Sequence, residues 1–192
     1  YSLRNATRRH LSAEQLLMST KTLAEFIQNA QTGAVPDWAI HEAKRTLINM
    51  LAVSLSASHA KPVDVLLEWV QAEGCAPRAT VIGRGMRTSL ANAALLNGYL
   101  AHLQDYDDTH FPTVLHPTAP VWPAVLAMAE DTGSSGRETL AAFALGAEVA
   151  CRVAMSTHPH HYDAGWHVTG TVGHIGAAVA TARLLDLSPD QM

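Results

Sequence analysis

Apolar residues in this chain recur every three to four positions over nearly its whole length, and one run alone, ATVIG at 79–83, reads as a strand. That period lines side chains along one face of a helix, whereas a half-buried strand needs strict alternation. A capping box at Ser12-Ala13-Glu14-Gln15 opens a first helix carrying Leu16, Leu23, Phe26, Ile27 and Ala30, and Gly33 closes it. A second helix begins near Pro36 and runs toward Ser58; a third covers roughly 62–73 and stops at Gly74. Ala and Leu dominate from Ser89 to about Tyr106, and a helix interrupted by prolines follows at 117–129. Ser135-Gly136-Arg137-Glu138 caps a strong helix with Leu140, Phe143, Ala144, Ala147, Cys151 and Met155 on one face. Glu148 and Arg152 pair across one turn on its other side. The last helix runs from about Thr169 to Leu185. Helices without alternating strands predict an all-α architecture.

Hydrophobic residues are 48% of the chain and charged residues 16%, a balance that suits a well-buried globular core rather than disorder. A net charge of −4 gives no electrostatic reason to expect nucleic acid or an anionic membrane surface. Cys75 and Cys151 lack CxxC spacing, so neither a disulfide framework nor a zinc knuckle is expected, and a cytoplasmic location is the natural expectation. The start, YSLRNATRRHLSAEQ, has no apolar core of a secretion signal. Both ends read as truncated: there is no initiator Met, and Ser188-Pro189-Asp190-Gln191 resembles a helix start one residue before the sequence stops. Residues 1–192 are therefore expected to be the N-terminal part of a larger helical domain.

The chemistry concentrates in 102–118, HLQDYDDTHFPTVLHPT, where three histidines and three aspartates share a short span. Eight of the eleven histidines lie between positions 102 and 174. With the helix ending near Tyr106 extended by a turn, Asp105, Asp108 and Thr109 would share a face, and His110 and His116 would follow on a proline-bounded loop. A second group, HPHHYDAGWH at 158–167, puts His167 beside the start of the last helix, where the dipole disfavours the protonated imidazole. Duller readings stand beside these: Asp107 or Asp108 only caps a turn, His102 packs on a neighbouring helix, and His158, His160 and His161 are solvated. Asp and His are fit ligands for zinc or iron, but no HExxH and no Cys or Glu at ligand spacing accompanies them, so no metal is expected. Gly170, Gly173 and Gly176 sit three apart, a spacing read as close helix packing in preference to a phosphate cradle.

Several blocks resemble the MmgE/PrpD family: ATVIGRG at 79–85, ALLNGYLAHLQDYDDTH at 94–110, HPTAPVWPAVLAMAE at 116–130, LGAEVACRVA at 145–154 and GWHVTGTVGHIGAAVATARLLDLSPDQ at 165–191. The resemblance implies a large helical domain, a smaller α+β lid domain absent from this chain, a homodimer, no metal or organic cofactor, and small di- or tricarboxylate substrates. Carried over by motif, the pocket residues are Asp105 and Thr109 from DYDDTH, His116 from HPT and His167 from GWH, with Asp108 and His110 beside them. HPT stands where many relatives have HPS or HPG, and the family's later lysines have no counterpart. Lys21, Lys44 and Lys61 all precede the cluster, and neither Lys nor Arg occurs between Thr88 and Gly136. A tricarboxylate facing three aspartates needs cations from a later segment or a partner subunit.

The expected chemistry is proton transfer at the carbon next to a carboxylate, followed by loss of hydroxide or carbon dioxide. His116 or His167 is the expected general acid or base, because imidazole ordinarily titrates near neutrality. Asp105 would orient a histidine or the substrate hydroxyl, and Thr109 would bind a carboxylate. Two alternatives stay open: epimerisation through the same first step, or a non-catalytic half that needs a partner.

Overall fold

A computed structural model describes residues 13–30 and 32–191. The chain order is α1 (Ala13–Asn29), α2 (Asp37–Ala57), α3 (Lys61–Glu73), β1 (Ala79–Val81), β2 (Met86–Thr88), α4 (Leu90–His102), α5 (Thr118–Thr132), α6 (Gly136–Thr157), α7 (His160–Asp163) and α8 (Val168–Leu184). Single 3₁₀ turns occupy Thr32–Ala34 and Pro189–Gln191. The architecture is all-α, as the periodicity implies, with a two-stranded antiparallel ribbon at its side. The capping box expected at Ser12 lies outside the described residues.

The core is built around α5. Trp122 is fully buried and stacks on Phe143 of α6, with ring centroids 4.1 Å apart and planes within 6°. Its indole Nε1 donates to Thr46 Oγ1 of α2 at 2.9 Å, so the one polar atom of the largest core side chain is satisfied. Pro120 lies in the first turn of α5, where an amide has no intrahelical partner to lose. Pro123 sits inside the helix, yet α5 runs unbroken to Thr132, so the prolines do not interrupt it.

The glycine series explains how α8 reaches this core. A Cβ on Gly173 would fall 2.4 Å from Pro120 Cγ of α5, and one on Gly176 would fall 2.7 Å from the carbonyl oxygen of Gly146 in α6. Helix backbones this close exclude any side chain, so the spacing serves packing, as expected. At the start of α6 the capping box closes in both directions: Glu138 N–H donates to Ser135 Oγ at 3.3 Å, and Ser135 N–H to Glu138 Oε2 at 2.8 Å.

The second strand has no signature of its own in the sequence. β1 pairs with β2 from Ala79↔Thr88 to Val81↔Met86, across a turn that holds Gly83 and Gly85 at φ 71° and 61°. Asn97 of α4 is buried and clamps the ribbon: its Oδ1 accepts from Ile82 N–H and its Nδ2 donates to Thr80 O, both at 2.9 Å. Among the described residues, α6 alone has the length and apolarity of a membrane span, and half of that stretch is packed inside the fold.

Candidate active site

The helix carrying the start of the histidine-aspartate segment ends sooner than its composition suggests. α4 stops at His102, and Asp105 takes a left-handed backbone with φ 56°, its N–H donating to His102 O at 3.0 Å. Aspartate tolerates this conformation better than most residues, and it turns the chain out of the helix. Asp105, Asp108 and Thr109 therefore do not share a helical face; they lie along a turn.

That turn aims the adjacent aspartates at different partners. Asp108 Oδ1 accepts the amide of Thr118 at 3.0 Å, which satisfies an open donor at the start of α5. Burial pushes its carboxyl above the ordinary range, and the hydrogen bonding of Thr118 opposes the shift. Asp107 turns inward, its side chain fully buried, with Oδ2 3.5 Å from His116 Nδ1. Neither Asp107 oxygen nor His116 Nδ1 has a hydrogen-bond partner within the protein. Burial is the main force raising the Asp107 carboxyl; His116 and His102 pull it back down, and Asp105 adds to the rise.

His116 is fixed by its backbone. Its N–H donates to Thr169 Oγ1 at 3.0 Å, which ties the loop to the first turn of α8. Thr169 is buried, and so is Pro117, the residue preceding α5. His167 is the N-cap of α8, and its Nδ1 accepts from Gly170 N–H at 3.2 Å. With Nδ1 used as acceptor, the neutral ring carries its proton on Nε2.

Three imidazoles from three separate segments thus gather in one place. The ring centroid of His102 lies 6.4 Å from that of His116 and 6.3 Å from that of His167. His102 is exposed and central to the group, so its role as mere helix packing does not describe its position. Asp105 joins them: ligand atoms of His102, Asp105 and Asp107 all lie within 4.8 Å of one another, a spacing that could hold a metal ion. Thr109 is exposed on the same segment. His110 is half-buried, with its N–H donating to Leu115 O at 2.7 Å and its Nδ1 2.8 Å from Thr113 Oγ1. His158 and His160 are exposed, while His161 has Nε2 2.6 Å from Thr171 Oγ1 and stacks on Trp166.

A cavity of about 540 Å³ opens elsewhere, between α1, α2 and α6, lined by Phe26, Trp38, Phe143, Cys151 and Asp108 among others. Its walls are largely apolar and include no histidine, so the imidazole chemistry lies outside it.

Sequence reasoning does not single out Asp107 or His102.

This all-α fold, with a histidine-aspartate cluster where α4, α5 and α8 meet, corresponds to a family domain. The family model described as the MmgE/PrpD N-terminal domain matches residues 21–192, and the chain belongs to the MmgE/PrpD family. It is 29% identical over 182 residues to the cis-aconitate decarboxylase-like protein oryM of Aspergillus oryzae, covering 89% of this chain and 37% of that protein. It is 28% identical to the mouse cis-aconitate decarboxylase and 25% identical to that of Aspergillus terreus, covering 88% and 90% of this chain and 36% of each relative. The chain therefore spans little more than a third of the length of these curated relatives.

Proposed function

We propose that this chain supplies the proton-transferring half of a cofactor-independent lyase that acts on a small di- or tricarboxylate. The carrying observation is the convergence of His102, His116 and His167, from three segments, beside the buried carboxylate of Asp107. Imidazoles change charge near neutrality, and several of them around one point allow one group to give a proton while another accepts it. The names of the relatives favour decarboxylation. In that reaction the C–C bond to one carboxylate breaks, its electron pair stays on carbon, and a protonated histidine supplies the hydrogen that replaces carbon dioxide. In the dehydrating variant a neutral histidine removes the α-proton, the electron pair forms the double bond, and hydroxide leaves with a proton.

His116 and His167 are the proposed acid–base pair, with Asp105 and Thr109 holding the substrate. A polyanion beside Asp105, Asp107 and Asp108 needs positive charge that this stretch lacks, so a later segment or the second subunit of a homodimer would complete the site. The test is turnover by the complete polypeptide with cis-aconitate and citrate-like acids, followed by proton NMR in heavy water. Release of carbon dioxide or a new alkene supports the lyase. Deuterium exchange at carbon with neither product replaces it with an epimerase. In the active enzyme, His116→Ala and His167→Ala should each lower kcat by ~10²–10⁴-fold, and unchanged turnover in both removes these assignments.

A further inference from the structure

We propose that Asp107 is the positioning residue of this site: it takes the Nδ1 proton of His116 as a hydrogen bond and so leaves His116 Nε2 as the basic atom that meets substrate. The proposal rests on the lyase reading for its catalytic meaning, but its geometry stands apart from any substrate.

Three buried polar atoms carry it. Asp107 Oδ1 and Oδ2 and His116 Nδ1 all lack a partner, and the carboxylate and the ring nitrogen face each other at 3.5 Å. Buried polar groups are rarely left unpaired without a reason, and catalytic hydrogen bonds are often long before substrate binds and tighten in the complex. A small approach along this line completes the bond and satisfies two of the three atoms at once. The main chain of His116 is held on both sides, by Thr169 Oγ1 on its amide and by Pro117 leading directly into α5, so the ring hangs from a fixed backbone. The ring retains 19% side-chain exposure while Nδ1 itself is buried, so Nε2 is the nitrogen left for outside chemistry.

The surroundings favour a carboxylate that works through a histidine over one that binds substrate itself. The Asp107 side chain has no exposure, so a polyanionic substrate has no access to it. The charged and titratable groups that face it are His116 from the loop, His102 from α4, Asp105 from the turn and its neighbour Asp108. The two imidazoles are its only attractive partners in that set, and His116 is the one with a buried nitrogen turned toward it.

The consequence is a fixed tautomer. A carboxylate only accepts, so it holds the proton on Nδ1 of a neutral His116. A carboxamide at the same place can turn its NH₂ toward Nδ1 and move the ring proton to Nε2, which removes the base without changing the shape of the site. His167 serves as an internal reference, because its Nδ1 accepts from Gly170 N–H and its neutral ring is protonated on Nε2.

Nitrogen-15 NMR of the complete protein labelled at histidine tests this directly. The neutral wild-type ring of His116 should carry its proton on Nδ1 and that of His167 on Nε2, and Asp107→Asn should convert His116 alone to the Nε2-protonated form. In the same variant kcat should fall by ~10²-fold or more, with KM changed by less than about threefold. Wild-type His116 protonated on Nε2, or an Asn variant with unaltered kcat, overturns the proposal. If the variant fails to fold, the wild-type spectrum still decides. If no carboxylate is turned over but the His116 tautomer follows residue 107, the lyase reading fails and the pairing stands.

Discussion

Thr169 Oγ1 accepts the amide of His116 at 3.0 Å across 53 positions of sequence, and this bond joins the two segments that carry the site. It ties the loop before α5 to the first turn of α8, whose N-cap is His167. Replacing Thr169 with Val keeps the shape but leaves the His116 amide without its acceptor. An unpaired donor in a partly buried place costs about 1–3 kcal/mol, and the ring it supports loses its fixed position. Thr169→Val should therefore reduce both melting temperature and kcat, while Thr169→Ser, which keeps the hydroxyl, should restore most of each. Calorimetry and steady-state kinetics on the pair check this; a Val variant equal to wild type in both shows that the loop is held by other means.

The contact between α6 and α8 makes a second prediction. In Gly176→Ala the new methyl would meet Gly146 O at 2.7 Å and both Ala150 Cβ and Val121 Cγ2 at 3.0 Å. Neither backbone carbonyl nor packed helix can yield cheaply, so overpacking should cost about 1–3 kcal/mol. Gly136→Ala is the control, since nothing lies within 4 Å of the place its methyl would take. Thermal unfolding should show a clear loss for the first and none for the second. Equal melting temperatures would mean that the helices separate without penalty.

Most of the helical frame is legible in the sequence because its signals are local. Ser135 and Glu138 announce the start of α6 through a reciprocal cap, and Gly74, at a positive φ of 60°, ends α3 where its glycine predicts. The Gly173 and Gly176 spacing points to close packing because small residues one helical step apart leave a groove. Non-local features are hidden. β2 is only Met86–Thr88, too short for alternation to show, and it exists because it pairs with β1, which Asn97 holds. α4 stops at His102 because Asp105 reverses the backbone, which helix propensity does not register. The conjunction of His102 with both His116 and His167 depends on how α4 and α8 each pack on α5, so only His116 and His167 stand out from motif.

Asp107 also predicts a conflict between stability and activity. Its folded carboxyl titrates above the ordinary value, chiefly through burial. Between the unfolded and folded values the native state holds more protons, so this group's favourable contribution is complete below the unfolded value and is lost as pH rises through the folded one. Near neutrality the charge is therefore a burden, because the cost of burying it outweighs the pull of His116 and His102. Asp107→Asn removes it and should raise the melting temperature at a pH of about 7.5, by about 2–4 °C for each ~1 kcal/mol relieved. The advantage should shrink as pH falls through the raised folded value, below which the wild-type carboxyl is protonated. Scanning calorimetry at several pH values checks this. An Asn variant less stable than wild type near neutrality would make Asp107 a structural residue.

Chelation tests whether the carboxylates serve proton transfer or a metal. His102, Asp105 and Asp107 hold their ligand atoms within 4.8 Å, so geometry alone permits a divalent ion. Such an ion would draw Asp107 toward itself and away from His116, and it would offset the negative charge that a tricarboxylate meets there. Proton transfer by histidines requires neither. Dialysis of the complete protein against EDTA should leave kcat and KM unchanged, and added zinc or manganese should give no stimulation. Loss of turnover on dialysis with recovery on adding one of these ions would place the metal at this trio, and Asp105→Asn would then weaken the recovery. Unchanged kinetics, together with a His116 tautomer that follows residue 107, leave Asp107 with the task of governing the His116 proton.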